Sequence, residues 1–141
     1  MIVLDTNVVS GLMNPQPDSA LLHWMNRHPR DAFWLTSITV MEARFGIDLL
    51  SHGRRRRELY ERFLRVLEDT LQGRVLSFDR DAAEKAAEFT ARRQAAGRPV
   101  GFRDSEIAGI VLVRGATLAT RNIRDFQDLS IQLTNPWEDR P

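Results

Sequence analysis

The chain has 141 residues, of which 43% are hydrophobic and 28% charged, and its formal net charge is +1. This length suits one domain spanning residues 1–141, and the composition is that of a globular protein, which excludes a disordered or fibrous chain. The absence of cysteine excludes disulfide frameworks and thiolate zinc sites, and with neither a signal segment nor a membrane-spanning stretch we expect a cytoplasmic protein without membrane contact.

Predicted strands and helices alternate along the chain. Apolar or β-branched runs predict strands at residues 1–4, 33–38, 74–78, 116–120 and 130–135. Helical spacing of apolar residues, with breaks at prolines and glycines, predicts helices near residues 8–13, 18–28, 39–50, 53–71, 79–97 and 104–115. Strands that alternate with helices pair in parallel, so we predict an α/β fold with a mainly parallel sheet wrapped by helices.

Acidic residues occupy positions where a parallel sheet forms its ligand site. Asp5 directly follows the first strand, and Glu42 falls in the predicted first turn of the helix after the second strand. Ligands of open α/β sheets bind beyond the carboxyl ends of the strands. Asp104 comes early in its helix, on the same face as Ile107 and Val111. We therefore expect these three carboxylates to meet at one edge of the sheet.

Each acid also has a purely structural interpretation. Asp5 could end the strand or cap the following helix, and Asp104 could be the N-cap of its own helix. Glu42 could close a capping box with Thr39, because the two residues have the required spacing. Further polar residues after the fourth strand, in the stretch "ATLATRNIRDF", could be ordinary loop residues.

Together the acids predict a cation. Two like charges about 4 Å apart repel by roughly 4 kcal/mol at an effective dielectric constant near 20, so a cluster of carboxylates requires a positive partner. Oxygen ligands without cysteine or histidine favour Mg²⁺ or Mn²⁺ over zinc. Because carboxylate-held Mg²⁺ commonly acts on phosphate groups, the pattern indicates phosphodiester hydrolysis.

Four stretches, in order, carry a resemblance to a known family: "MIVLDTN", "TSITVMEARFG", "DSEIAGIVLVRGATLATRNIRDF" and "NPW". They resemble PIN-domain ribonucleases of the VapC toxin type, in particular the FitB-like branch. The resemblance implies a PIN-like three-layer α/β/α sandwich with about five strands. It also implies a Mg²⁺- or Mn²⁺-dependent endoribonuclease that is the toxin of a type II toxin-antitoxin pair, forms a homodimer or a larger toxin-antitoxin assembly, and is inhibited by a cognate antitoxin. The family's motif acids fall on Asp5, Glu42 and Asp104.

The fourth position of the motif departs from the family pattern. Many relatives carry an acid after "TR", whereas this chain has Asn122. Asn122 could ligate a metal through its amide oxygen without adding charge, and Asp125 could supply the missing charge. We expect one firmly held ion and leave a second one open. This substitution also leaves room for an alternative function, a catalytically weak or inactive PIN-like module that binds RNA or protein.

Other residues are candidates for contacts with RNA. Thr6 and Asn7 could orient metal ligands or contact phosphate, and Arg121 could contact phosphate directly. The arginine run Arg54 to Arg57 could also bind RNA phosphates, or it could simply be the solvated start of a helix.

Overall fold

A parallel sheet forms the middle layer of the protein, whose computed structural model describes residues 1–98 and 101–138. The described strands are β1 (Ile2–Leu4), β2 (Phe33–Thr36), β3 (Val75–Leu76), β4 (Thr117–Ala119) and β5 (Gln132–Thr134). They lie in the order β3-β2-β1-β4-β5, and every neighbouring pair is parallel. The direction of strand order reverses between β1 and β4, so the ligand site of this fold class is expected beyond their carboxyl ends.

Helices cover both faces of the sheet. They are α1 (Thr6–Met13), α2 (Ser19–Asn26), α3 (Ser37–Asp48), α4 (Arg54–Leu64), α5 (Arg80–Ala95) and α6 (Phe102–Val113). A π-helical segment, Arg65–Thr70, extends α4, and short 3-10 turns lie at Arg30–Ala32, Ile123–Asp125 and Pro136–Glu138. None of the helices in the described residues is long and apolar enough to span a membrane. The α/β fold predicted from the sequence is confirmed.

The sheet separates two hydrophobic cores, as expected of three layers. On one face Val3 of β1 packs with apolar residues of α5 and α6, including Phe89 and Ile107. On the other face Leu4, the next residue of β1, packs with residues of α1, α2, α3 and α4, including Phe63. Successive side chains of a strand point to opposite faces, and Val3 and Leu4 of β1 are both fully buried because helices cover both faces.

The capping box predicted from Thr39 and Glu42 is wrong. Helix α3 begins at Ser37, two residues before the predicted start, and its N-cap is Thr36, whose Oγ1 accepts a hydrogen bond from the Thr39 amide at 3.1 Å. The strand before it ends at Thr36, so the helix starts as soon as the strand stops. Glu42 consequently lies in the second turn of α3 and has no capping role.

Helices α5 and α6 approach each other closely at Gly109. A Cβ atom at this position would lie 2.5 Å from the Ala82 carbonyl oxygen and 3.1 Å from the Ala86 amide nitrogen. Both neighbours are backbone atoms, which cannot rotate away as a flexible side chain can. Glycine at this position therefore sets the distance between the two helices and, with it, the position of the residues at the start of α6.

A buried ion pair holds the segment between β4 and β5. Arg93 of α5, only 5% exposed, donates from Nε to Asp128 Oδ2 at 2.8 Å and from Nη2 to Asp128 Oδ1 at 3.0 Å. Its Nη2 also donates to the Asp125 carbonyl oxygen. The hydrogen bond from Arg93 lowers the pKa of Asp128, and the same bond raises the pKa of Arg93. These hydrogen bonds from Arg93 hold the loop after β4 against α5.

Substitution of Gly109 by alanine is expected to destabilise the protein. The added Cβ must push α5 and α6 apart, and overpacking of this kind costs about 1–3 kcal/mol in free energy of unfolding. The matched control is Gly46→Ala in α3, where no described heavy atom lies within 4 Å of the added Cβ. Because alanine favours helix over glycine, the control is expected to gain up to about 1 kcal/mol. Urea unfolding followed by circular dichroism measures both; equal stabilities for the two variants would contradict the proposed close contact.

Substitution of Asp128 by asparagine is expected to cost about 1.5–3 kcal/mol at pH 7, because the buried Arg93 loses its bidentate carboxylate partner and keeps only the longer ion pair with Asp104 at 3.7 Å. The folded-state pKa of Asp128 lies below its usual value. Its stabilising effect is thus complete above the unfolded-state pKa of about 4 and is lost as the pH falls through the lower folded-state value. Unfolding measured from pH 7 down to pH 2 should show the stability gap between wild type and variant closing below about pH 4. Glu84→Gln removes an exposed pair with Arg80 in the same helix and should change little.

Candidate active site

Asp5 lies where the strand order reverses and is only 1% exposed. It is the N-cap of α1, and its Oδ1 accepts a hydrogen bond from the Thr6 amide at 2.8 Å. Its own amide donates to the Ala119 carbonyl oxygen of β4 at 2.9 Å. The interpretation of Asp5 as a helix cap is therefore correct, and the cap itself fixes the carboxylate at the edge of the sheet.

Two polar residues hold the second oxygen of Asp5. Thr120, which directly follows β4, donates from Oγ1 to Asp5 Oδ2 at 2.8 Å. Asn7 donates from Nδ2 to Asp5 Oδ2 at 3.4 Å and to Thr120 Oγ1 at 3.2 Å. The Asn7 Oδ1 atom accepts from the Arg121 amide at 3.1 Å. Asn7 thus joins the ends of β1 and β4 and orients the Asp5 carboxylate.

The guanidinium of Arg103 contacts all three acids that the sequence singled out. Arg103 Nη2 donates to Asp5 Oδ1 at 2.8 Å, and Nη1 donates to Asp104 Oδ1 at 2.9 Å. Its Nε forms an ion pair with Glu42 Oε2, and Nη2 also contacts Thr6 Oγ1 at 3.2 Å. The end of β1, helix α3 and helix α6 therefore each direct one carboxylate toward the guanidinium of Arg103. The three acids meet at one edge of the sheet.

Asp104 lies in the first turn of α6, and Gly101 is the N-cap of that helix. The interpretation of Asp104 as an N-cap is therefore wrong. Burial raises the pKa of Asp104, the nearby Arg103 and Arg93 guanidinium groups lower it, and the carboxylates of Asp125 and Asp5 raise it, with a net upward shift. The ionised form of Asp104 is thus disfavoured by its surroundings, and a further positive charge beside it would stabilise that form.

The two candidates for the fourth position lie on either side of this cluster. Asn122 is exposed, and its amide donates to Thr120 Oγ1 at 3.0 Å. Asp125 ends a short 3-10 turn, and its carboxylate is near enough to Asp104 to affect the pKa of that acid. The Asn122 backbone therefore lies beside Thr120, whereas the Asp125 carboxylate lies on the side of Asp104.

A cleft of about 740 Å³ opens beside the carboxylates. Its lining includes the predicted substrate contacts Thr6, Asn7 and Arg121 together with Glu42 and Arg103. The lining also includes Trp137 of the "NPW" stretch, whose ring lies 3.9 Å below the Arg121 guanidinium carbon. The cleft thus contains two guanidinium groups and an aromatic surface, and Glu42 of the three acids lines it.

The carboxylate oxygens of the three acids are the candidate ligands of a metal ion. As the side chains stand, the described residues contain no group of three acidic or histidine side chains placed to hold one ion. The guanidinium of Arg103 lies between the carboxylates and contacts each of them. The oxygens are nevertheless hard donors that share one cation, which is the chemistry that Mg²⁺ and Mn²⁺ require. The chemistry of these donors therefore suits such an ion, whereas their present arrangement around the guanidinium does not hold one.

The arginine run at the start of α4 has local partners. Arg54 pairs with Glu58 at 2.8 Å, and Arg56 pairs with Asp48 at 3.2 Å. Both pairs are exposed, and Arg54 itself is 87% exposed. These contacts favour the interpretation of the run as a solvated helix start for Arg54 and Arg56.

Sequence reasoning missed three residues of the site. Arg103 could have been found because it directly precedes Asp104, and a basic residue beside a predicted acid cluster is a candidate counter-charge. Arg93 falls on the apolar stripe of α5, where a charged residue requires a partner. Thr120 carried no signal other than its position at the end of a strand.

The chain is similar to known proteins over nearly its whole length. The sequence profile of the PIN domain matches residues 2–131. The chain is 38% identical to VapC ribonuclease Y4jK of Sinorhizobium fredii, covering 98% of this chain and 99% of that protein. It is 32% identical to Toxin FitB of Neisseria gonorrhoeae, covering 99% and 100%. The crystal structure of FitAcB from Neisseria gonorrhoeae superimposes with a TM-score of 0.86 at 32% identity, over 98% of this chain and 99% of that chain. The chain belongs to the PIN domain family.

Proposed function

We propose that this protein is a Mg²⁺- or Mn²⁺-dependent endoribonuclease that hydrolyses RNA phosphodiester bonds in the cytoplasm as the toxin of a type II toxin-antitoxin pair. One observation carries the proposal. The carboxylates of Asp5, Glu42 and Asp104 all contact the guanidinium of Arg103, at the point where strand order reverses. The similarity to Y4jK, a VapC ribonuclease, and to Toxin FitB supports the same activity.

Asp5, Glu42 and Asp104 would hold the metal. When bound, such an ion supplies Lewis-acid stabilisation of phosphate charge and activates a water molecule. Asp5 is the best-positioned ligand, because the Thr6 amide and the Thr120 hydroxyl already hold its two oxygens in place. Preorganised ligands of this kind lose little entropy when the ion binds.

The cleft beside the acids suits single-stranded RNA. Arg121 offers a guanidinium to a phosphate, and the Arg121–Trp137 stack offers a surface on which a base can lie. Thr6 and Asn7 line the same cleft, where they would orient ligands or contact phosphate. We propose that the phosphate backbone enters past Arg121 and reaches the carboxylates at Asp5.

A second metal would depend on Asn122 or Asp125. Asn122 adds no charge, and Asp125 lies on the Asp104 side. We therefore propose one firmly held ion and a second that binds weakly or with the substrate.

A catalytically weak or inactive PIN-like module that binds RNA or protein is the second candidate. It is favoured by the contacts of Arg103 with all three acids, since these contacts oppose metal binding. The experiment below separates the two candidates.

Asp5→Asn and Asp104→Asn are each expected to lower RNA cleavage by more than about a hundredfold, because each removes one negative charge from the proposed metal site. Asparagine at position 5 keeps an oxygen for the helix cap, and its amide can donate to Thr120, so the fold should persist. Cleavage of end-labelled single-stranded RNA is measured with Mg²⁺ or Mn²⁺ and again with EDTA, which should abolish it.

The control is Asp31→Asn, an exposed acid in the Arg30–Ala32 turn, which should cleave as the wild type does. Circular dichroism verifies the fold of each variant. Full activity of a folded Asp5 or Asp104 variant would refute the assignment of the metal ligands. Wild-type protein that binds RNA without cutting it in either metal would support the binding module.

We propose a cognate antitoxin as a protein partner. A groove of about 520 Å³ runs between α1, α3 and α4, with apolar walls from residues such as Ile47 and Leu59. Arg55 and Arg62 line it, and one end reaches Glu42. An apolar segment with acidic residues would match both the walls and the arginines. The similarity to Toxin FitB, together with the shared fold of the FitAcB structure, supports this partner.

We also propose that two copies of this chain form a homodimer through the opposite face of α3. Met41, Phe45 and Leu49 are spaced four residues apart on α3 and are 64%, 62% and 69% exposed. Residues at this spacing form one helical face, and large exposed apolar patches usually mark an interface. This α3 stripe is separate from the groove, so both partners can bind at once.

Phe45→Glu is expected to convert the dimer to a monomer, because a carboxylate cannot be buried unpaired between two apolar stripes. Light scattering coupled to size-exclusion chromatography measures the mass. Leu22→Glu, which alters another exposed apolar residue, should leave the dimer intact. A wild-type monomer, or a dimer that persists in Phe45→Glu, would exclude the α3 stripe as the interface.

A further inference from the structure

Two arginines pair with acids of the proposed site, Arg103 with all three and Arg93 with Asp104 Oδ2 at 3.7 Å, and they are held very differently. Arg93 is 5% exposed, and a bidentate hydrogen bond to Asp128 locks it in place. Arg103 has a side chain that is 37% exposed, and its partners are the three candidate metal ligands and Thr6. Arg93 is therefore a fixed part of the site, whereas Arg103 is free to leave if its carboxylate partners bind another cation.

The guanidinium of Arg103 uses the oxygens that a metal needs. Its contacts are with Asp5 Oδ1, Asp104 Oδ1 and Glu42 Oε2. The Nη2 and Nη1 hydrogen bonds occupy lone pairs of Asp5 Oδ1 and Asp104 Oδ1. In addition, a guanidinium and a divalent cation a few ångströms apart repel each other. The guanidinium and a metal ion therefore compete for these oxygens.

From this geometry we infer that Arg103 is an internal competitor of the metal, a built-in counter-ion that must leave the carboxylates before a divalent cation binds them. The inference rests on the proposed function, because it concerns the same three ligands. Its consequence is that the apparent metal affinity of this protein is set by an exchange of cations and is weaker than the carboxylates alone would provide.

The structure provides space for the exchange. Arg103 lies in the first turn of α6 and lines the cleft of about 740 Å³ that also contains Arg121 and Asn7. Rotation of the side chain into this cleft breaks its contacts with the acids without moving the helix. The cleft is the proposed path of RNA, so a guanidinium displaced into it would meet substrate phosphates.

The test compares Mn²⁺ binding by calorimetry in the wild type, Arg103→Gln and Arg114→Gln. Arg114 is the matched control: it directly follows α6 at the opposite end, its side chain is 43% exposed, and it pairs with Asp79 at 3.8 Å. Both substitutions remove one positive charge, so any general effect of net charge appears in both. We expect the Kd of Arg103→Gln to fall by about tenfold or more, as expected for loss of competing charge-assisted hydrogen bonds. Arg114→Gln should bind as the wild type does.

Thermal unfolding provides a readout that does not depend on calorimetry. Without added metal, Arg103→Gln should melt below the wild type, because three carboxylates lose their counter-charge. Saturating Mn²⁺ should raise its melting temperature by more than it raises that of the wild type. A Kd of Arg103→Gln equal to that of the folded wild type would overturn the inference.

Arg103→Lys covers the case in which the glutamine variant does not fold without metal. An ammonium is a point charge and lacks the planar fork that contacts three carboxylates at once. The lysine variant should therefore fold and bind Mn²⁺ more tightly than the wild type; an unchanged Kd would overturn the inference. The failure of the proposed function has a different signature. If no folded variant and no wild-type protein binds Mn²⁺, the proposed metal site falls as well, whereas equal binding in all of them refutes only the role of Arg103.

Discussion

The buried carboxylate of Asp5 is the constraint around which this end of the molecule is built. It lies at the carboxyl end of the central strand β1, where it is 1% exposed. An ionised group at such a position requires hydrogen bonds and an opposite charge. The Thr6 amide, the Thr120 hydroxyl and the Arg103 guanidinium provide them. The start of α1, the end of β4 and the start of α6 are thereby held together by one side chain.

Charge balance then explains the surroundings of the site. Asp104 has a raised pKa although two guanidinium groups lie near it, because burial and the neighbouring carboxylates oppose its ionisation. Three carboxylates thus share the one guanidinium that contacts them all. A divalent cation in the proposed metal site would offer them a higher charge. Arg93 is held in place by Asp128, so only the guanidinium of Arg103 is proposed to exchange with that cation.

Helix α3 carries three sets of residues that have three proposed roles. Glu42 faces the acids, Ile47 lines the groove of α1, α3 and α4, and Met41, Phe45 and Leu49 form the exposed stripe. Residues of a helix that are not three or four positions apart point in different directions, so one helix can carry residues for the proposed catalysis and for both proposed interfaces. The PIN fold shared with FitB sets this layout, whereas the chemistry depends on the particular side chains at the strand ends.

The sequence by itself determined the alternation of strands and helices, the parallel sheet and the three acids that meet at its edge, because these depend on local periodicity and on the rule that parallel strands end together. The family followed from the four ordered stretches that resemble PIN-domain ribonucleases. The tertiary structure alone decided that Thr36 caps α3, that Gly109 must be glycine, and that Arg103 lies among the acids. An arginine side chain is long and flexible, and its direction is set by charges from segments far apart in the chain. Local pattern does not encode that direction.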